Sequence, residues 1–220
     1  TNGRMAWDGR EWETLCFIPL DENESDFVLK EVTIGVDFHW QRKEDQRFKG
    51  ALELIIEEEK LTAANHVRVE DYLTSVISSE MSALASEELL KAHAVISRSW
   101  LLANMKSIEQ KHPELKAHPE RHRWPMPTTP DEGEEHIKWF ERDAHTRFDV
   151  CADDHCQRYQ GITRASRETV RKAIEATRGE VLTSEGSICD ARFSKCCGGA
   201  FEEFAYCWDN IRYPYLRKRY

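Results

Sequence analysis

Residues 69–84 read VEDYLTSVISSEMSAL. Apolar side chains fall at Tyr72, Leu73, Val76, Ile77, Met81 and Leu84. Spacings of three and four are the signature of an amphipathic helix. Asp71 sits in the first turn, where an acid complements the helix dipole. Glu80 follows Val76 by four and Ile77 by three, and precedes Leu84 by four, so a helix lines up all four on one face. An uncompensated carboxylate in an apolar stripe is costly. Burial disfavours the charged form and raises the pKa, which turns a glutamate into a general acid near neutral pH. The competing reading is a helix end at which Glu80 turns to solvent or pairs with an arginine such as Arg98.

Upstream, the period changes to two. In KEVTIGVDFHW (30–40), Val32, Ile34, Val36 and Phe38 share one face of a half-buried strand. ALELII (51–56) repeats the pattern, Glu57 to Lys60 make a turn, and 61–69 pair back as a hairpin. Downstream, 87–106 is apolar over most of its circumference and reads as a central, buried helix. His93 falls within it and reads as a core histidine. The stretch 112–135 holds five of the seven prolines and no usable period, so it is an irregular insertion. His112, His118 and His122 lie in it; the choice there is between metal ligands and a solvated loop.

The C-terminal third is ordered again. Ser166 reads as an N-cap, with Val170, Ala173, Ile174 and Thr177 on one face and Gly179 past the end. Strands at 180–183 and 188–193 flank Ser184-Glu185-Gly186-Ser187 as a hairpin. The fold class is therefore α+β, a mixed or antiparallel sheet packed on a few helices. We expect one domain over 1–220, with a strand-rich part at 1–65 and a core at 66–220.

Composition narrows the function. The 220 residues carry 40 acids against 31 bases, a net charge of -9. That opposes a nucleic-acid binder, which usually presents a basic patch, and opposes adhesion to anionic membranes. At 40% apolar residues a core can form. No run of ~18 apolar residues exists to span a bilayer. The chain opens at Thr1 with no basic-then-apolar leader, as a mature, trimmed or cytosolic form would.

Two cysteine clusters carry chemistry. His145, Cys151, His155 and Cys156 lie within twelve residues. Thiolates and imidazoles so close suit tetrahedral zinc, and a Cys151–Cys156 disulfide is the alternative. Adjacent His155 and Cys156 need a bent backbone to reach one ion, so His145 ranks ahead of His155. The second cluster is Ser194-Lys195-Cys196-Cys197-Gly198-Gly199, whose paired glycines permit the close backbone approach of a ligand groove. One of its thiols could pair with Cys207; an ordinary glycine turn is the alternative. Seven tryptophans and six tyrosines could line a sugar groove, but most belong to the core.

Taken in order, several segments resemble one family. VEDYLTSVISSEM (69–81), LLKAHAVISRSW (89–100), QRYQG (157–161), the run from Ala173 through Gly179 to Val181-Leu182, Gly198-Gly199 and Pro214-Tyr215-Leu216 are similar to the landmarks of the SpoIID/LytB family of bacterial cell-wall proteins. His93 stands where glutamine is common. The resemblance implies a peptidoglycan lytic transglycosylase that cleaves the β-1,4 bond between N-acetylmuramic acid and N-acetylglucosamine and leaves a 1,6-anhydro end. It implies Glu80 as the catalytic acid/base. It implies zinc, structural or substrate-orienting, on His145, Cys151 and Cys156. Substrate contacts would come from Arg98, Gln157, Tyr159, Lys195, Gly198 and Gly199. The partner implied is the glycan strand, with a cell-wall amidase as a second, and the setting is exported, periplasmic or cell-envelope. A single carboxyl suffices for this chemistry, because the sugar's own 6-hydroxyl is the nucleophile, whereas hydrolysis usually needs two. The alternatives are a non-catalytic wall-binding module that stimulates an amidase, and a zinc-dependent hydrolase.

Overall fold

The computed structural model describes residues 3–21, 25–36, 38–57, 59–81, 84–105, 147–152, 155–163, 168–194, 196–208 and 212–217. The fold is α+β, with antiparallel strands concentrated at the N-terminus. The chain divides into two compact units, Thr1–Leu90 with Ala152–Ala176, and Lys91–Cys151 with Thr177–Tyr220.

The first unit opens with a short hairpin, β1 (Met5–Trp7) and β2 (Arg10–Trp12). Strand β3 (Thr14–Phe17) then pairs with β6 (Ala51–Glu57), which pairs with β7 (Lys60–His66). The β6–β7 hairpin closes at Glu57 opposite Lys60, as the sequence pattern requires. Strands β4 (Phe27–Ile34) and β5 (Arg42–Phe48) form a separate antiparallel pair. Here the structure corrects the sequence reading. The strand expected at 30–40 ends at Ile34, because Gly35 adopts φ 68° and turns the chain off the period-two line. Val36 and Phe38 therefore leave the core face and stand half in solvent. Strand β5, RKEDQRF, carries no apolar alternation; it exists because β4 pairs with it, burying Gln46 and Phe48.

Helix α1 (Val69–Glu80) buries Tyr72, Leu73, Ser75, Val76 and Ile77 and packs on α3 (Glu168–Ala176), whose Val170, Ala173 and Ile174 are buried. The helix stops at Glu80, and Met81 is already extended. Leu84, expected on the same stripe, is instead 75% exposed. An aromatic row, Phe27 on Phe48, Phe48 on Tyr159 and Tyr159 on Tyr72, links the β4–β5 pair to α1 at centroid distances of 5.0 to 5.8 Å. The 3-10 turn Gly161–Thr163 docks on β5, where the Arg47 N–H donates to Thr163 Oγ1 at 2.8 Å. Gly161 has φ 58°, and a side chain there would strike the Arg47 carbonyl. Only glycine fits both demands.

The second unit is built on α2 (Glu87–Asn104), which extends across the division after Leu90. The Ser99 hydroxyl accepts the Leu182 N–H at 2.8 Å, and Asn104 donates to Asp190 Oδ1 at 3.3 Å. Asp190 holds Arg192, whose guanidinium lies 4.4 Å from the centre of the Trp208 ring. The expected C-terminal hairpin is present but short: β8 (Thr183–Ser184) and β9 (Ser187–Ile188) around Glu185-Gly186. A one-turn helix (Phe204–Cys207) and a 3-10 turn (Pro214–Leu216) complete it. The 112–135 stretch and Ser166 lie outside the described residues. Among those described, no helix is long and apolar enough to cross a membrane.

Candidate active site

Helix α1 grips the segment 157–160 along its length. The Tyr72 hydroxyl donates to Gln157 Oε1 at 3.3 Å. The peptide N–H of Gln160 donates to Ser75 Oγ at 3.0 Å. The peptide N–H of Arg158 donates to Glu80 Oε1 at 2.8 Å. Positions 72 and 75 are three apart and 72 and 80 are eight apart, so Ser75 and Glu80 lie on either flank of Tyr72. Positions 158 and 160 are two apart, and both N–H groups reach α1.

Glu80 is thus the last residue of its helix, partly buried, with one carboxylate oxygen fixed by a main-chain donor. The helix-end alternative is correct about its place, but the carboxyl is anchored on Arg158 rather than released to solvent. A backbone N–H is a rigid donor, because the peptide plane cannot rotate away as a side chain can. It orients the carboxyl.

The framework behind this pair is aromatic and buried. The Tyr159 hydroxyl donates to Asn65 Oδ1 at 2.6 Å, and Asn65 donates in turn to the carbonyls of Lys49 and Ala51. Burial first, and the nearby Asp71 charge second, push the Tyr159 phenol well above its usual range, so it remains a donor. Gln157 and Tyr159, expected as substrate contacts, are both buried and hydrogen-bonded within this framework.

Other expected contacts fall elsewhere. Arg98 is 1% exposed and donates to the Glu180 carbonyl at 3.0 Å, inside the second unit. Gly198 and Gly199 lie in an exposed turn with φ 63° and 94°. Lys195 lies outside the described residues. His93 is 2% exposed, edge-on to Phe193, with neither ring nitrogen hydrogen-bonded among the described residues. Burial lowers its pKa to about 4, so it is neutral at physiological pH.

None of the seven cysteines is in a disulfide, which sets aside both the Cys151–Cys156 and the Cys207 pairings. One ligand atom each from Cys151, His155 and Cys156 lies within 4.8 Å of the others. The backbone turns at His155 and bends at Cys156, which brings His155 Nδ1 to 3.3 Å from Cys156 Sγ. That is the bend the sequence reading held against His155. His145 lies outside the described residues. Two thiols and an imidazole at this separation fit three corners of a zinc tetrahedron.

With this geometry in view, the comparison with known families is decisive. The family model SpoIID, described as stage II sporulation protein, matches residues 57–184, more than half of the chain. The chain belongs to the SpoIID family. The match contains α1 with Glu80, the Arg158 N–H that holds it, and Cys151, His155 and Cys156. Membership ties the chain to a cell-wall related role. Searches of the curated proteins and of the solved structures gave no match.

Sequence reasoning found Glu80 and the QRYQG segment separately. It missed that they form one unit, and it assigned no role to Arg158 or Ser75. The available signal was Ser75, a polar residue three after Tyr72 and beside Val76, at the edge of the apolar stripe.

Proposed function

We propose that this SpoIID protein is a peptidoglycan lytic transglycosylase that cleaves the N-acetylmuramic acid–β-1,4–N-acetylglucosamine bond, with Glu80 as its acid/base. The observation that supports this most is the anchored carboxyl: Glu80 Oε1 on the Arg158 N–H, at the end of a buried helix face. In the first step protonated Glu80 gives its proton to the glycosidic oxygen as the bond to C1 of the muramic residue breaks. In the second, the 6-hydroxyl of that residue attacks its own C1 and its proton passes to the Glu80 carboxylate. A 1,6-anhydro ring forms, the N-acetylglucosamine end leaves as an alcohol, and the enzyme regains its proton. No water enters, so a second carboxylate to activate one is unnecessary.

Zinc is the cofactor we assign to Cys151 and Cys156 with a histidine; the closeness of His155 to both thiols supports His155 as that histidine. When bound, the ion would supply a rigid closure of the 151–156 loop. Cys156 precedes Arg158 by two residues, so that closure would fix the peptide N–H that orients Glu80. The substrate lies outside the cytoplasmic membrane, so this reading requires export to the cell envelope.

The test is digestion of purified glycan strands followed by mass spectrometry. Anhydro products, lighter by one water than hydrolysed ones, and their loss in Glu80→Gln support the reading. Reducing ends alone would point to the zinc hydrolase. A Glu80→Gln protein that still stimulates an amidase, from a parent that cleaves nothing, would point to the binding module.

A further inference from the structure

Gly35 turns the chain out of β4 and into an exposed aromatic shelf. Phe38 and Trp40 stack at 5.3 Å between centroids with 15° between their planes. Gly35 backs the shelf: a side chain there would collide with the Trp40 indole. Phe38 is the outward member, 51% exposed. A stacked phenylalanine held half in water by backbone geometry gains little for the fold. Aromatic faces are, however, the surfaces on which sugar C–H faces stack.

The shelf connects to the acid/base. The Arg158 guanidinium lies 5.2 Å from the centre of the Trp40 ring, while the peptide N–H of the same residue holds Glu80. One residue thus joins the shelf to the candidate catalytic carboxyl, and all four side chains belong to the first unit. Phe38 and Trp40 precede the matched residues 57–184, so the shelf belongs to the N-terminal strands rather than to the matched region.

We propose that Phe38, seated on Trp40, is a saccharide subsite that stacks a ring of the glycan strand at a distance from the bond cleaved at Glu80. This inference rests on the glycan-cleaving reading for the identity of the ligand. Its occupant is the same strand, continued past the reacting pair of sugars. Such a subsite rewards strand length: long strands reach the shelf and the shortest oligomers do not.

The experiment measures binding of peptide-free glycan strands, long and short, to full-length Glu80→Gln protein with and without Phe38→Ala. We expect Phe38→Ala to weaken long-strand binding about 3- to 10-fold, the range of one aromatic contact, and to lower the long-over-short affinity ratio by the same factor. Phe38→Tyr keeps the ring face and should retain the ratio. An unchanged ratio in a Phe38→Ala protein of parental Tm would overturn the proposal, as would equal losses on long and short strands. Failure of the catalytic reading looks different. Unsubstituted protein would then yield no anhydro product, while the Phe38 effect on strand binding persists.

Discussion

The carboxylate of Glu80 and the peptide N–H of Arg158, 78 positions apart in sequence, meet at 2.8 Å. The contact joins the C-terminal end of α1 to the segment just past the cysteine loop. Glu80→Gln keeps an acceptor for this N–H and would lose only the proton transfer proposed for Glu80. We expect cleavage to fall by ~10²–10⁴-fold with a change in stability below about 1 kcal/mol. Glu80→Ala should be equally inactive but less stable by about 1–3 kcal/mol, since the N–H loses its partner. Product mass spectra and thermal melts on the same preparations separate the two effects.

The metal assignment predicts one zinc per chain. Cys151→Ser and Cys156→Ser should each abolish stoichiometric zinc, and His155→Ala should lower zinc affinity more than His145→Ala. Chelation should lower Tm without Glu80 being touched. Binding needs deprotonated thiols and a neutral imidazole, so zinc content should fall as pH is lowered. Elemental analysis with no zinc in protein purified without chelator would defeat the assignment.

Gly161 adopts φ 58° against the Arg47 carbonyl. Gly161→Ala therefore forces a strained backbone and a steric clash at once. A loss of about 1–3 kcal/mol is expected, read as a lower Tm. Cleavage should suffer beyond the loss of folded protein, because Gln160 and Arg158 lie directly before it and hold α1.

His93 gives the acid side of the stability profile. Its pKa is about 4 in the folded chain, against 6.5 for an ordinary histidine. Between those values the unfolded state binds more protons, so stability falls as pH drops from 6.5 towards 4 and this contribution levels off below. The full span is of order 3 kcal/mol. His93→Gln has no titrating group and should flatten that part of the curve in pH-dependent denaturant melts. An unchanged slope would mean that other groups set it.

Local periodicity made much of the fold legible before any coordinates. The three-and-four spacing of 69–77 marked α1, the alternation of 51–56 with its charged turn marked the β6–β7 hairpin, and the glutamate at the helix end stood out as a buried-face anomaly. These signals work because a helix or hairpin satisfies its backbone bonds within a short stretch and shows one face to the core. Periodicity also misled where a single backbone angle overrode it: Gly35 at φ 68° ended β4 and put Phe38 in solvent.

Only the tertiary structure settled what no residue pattern displays. Strand β5 has no apolar pattern and forms because β4 completes its hydrogen bonds. His155 joined the cysteine pair through a local bend that residue spacing cannot encode. Glu80 acquired its orientation from Arg158, and a peptide N–H carries no side-chain identity for a sequence to display. The sequence determined that a carboxyl stands at the end of an apolar face. The packing of α1 against residues 157–160 decided which main-chain donor holds it.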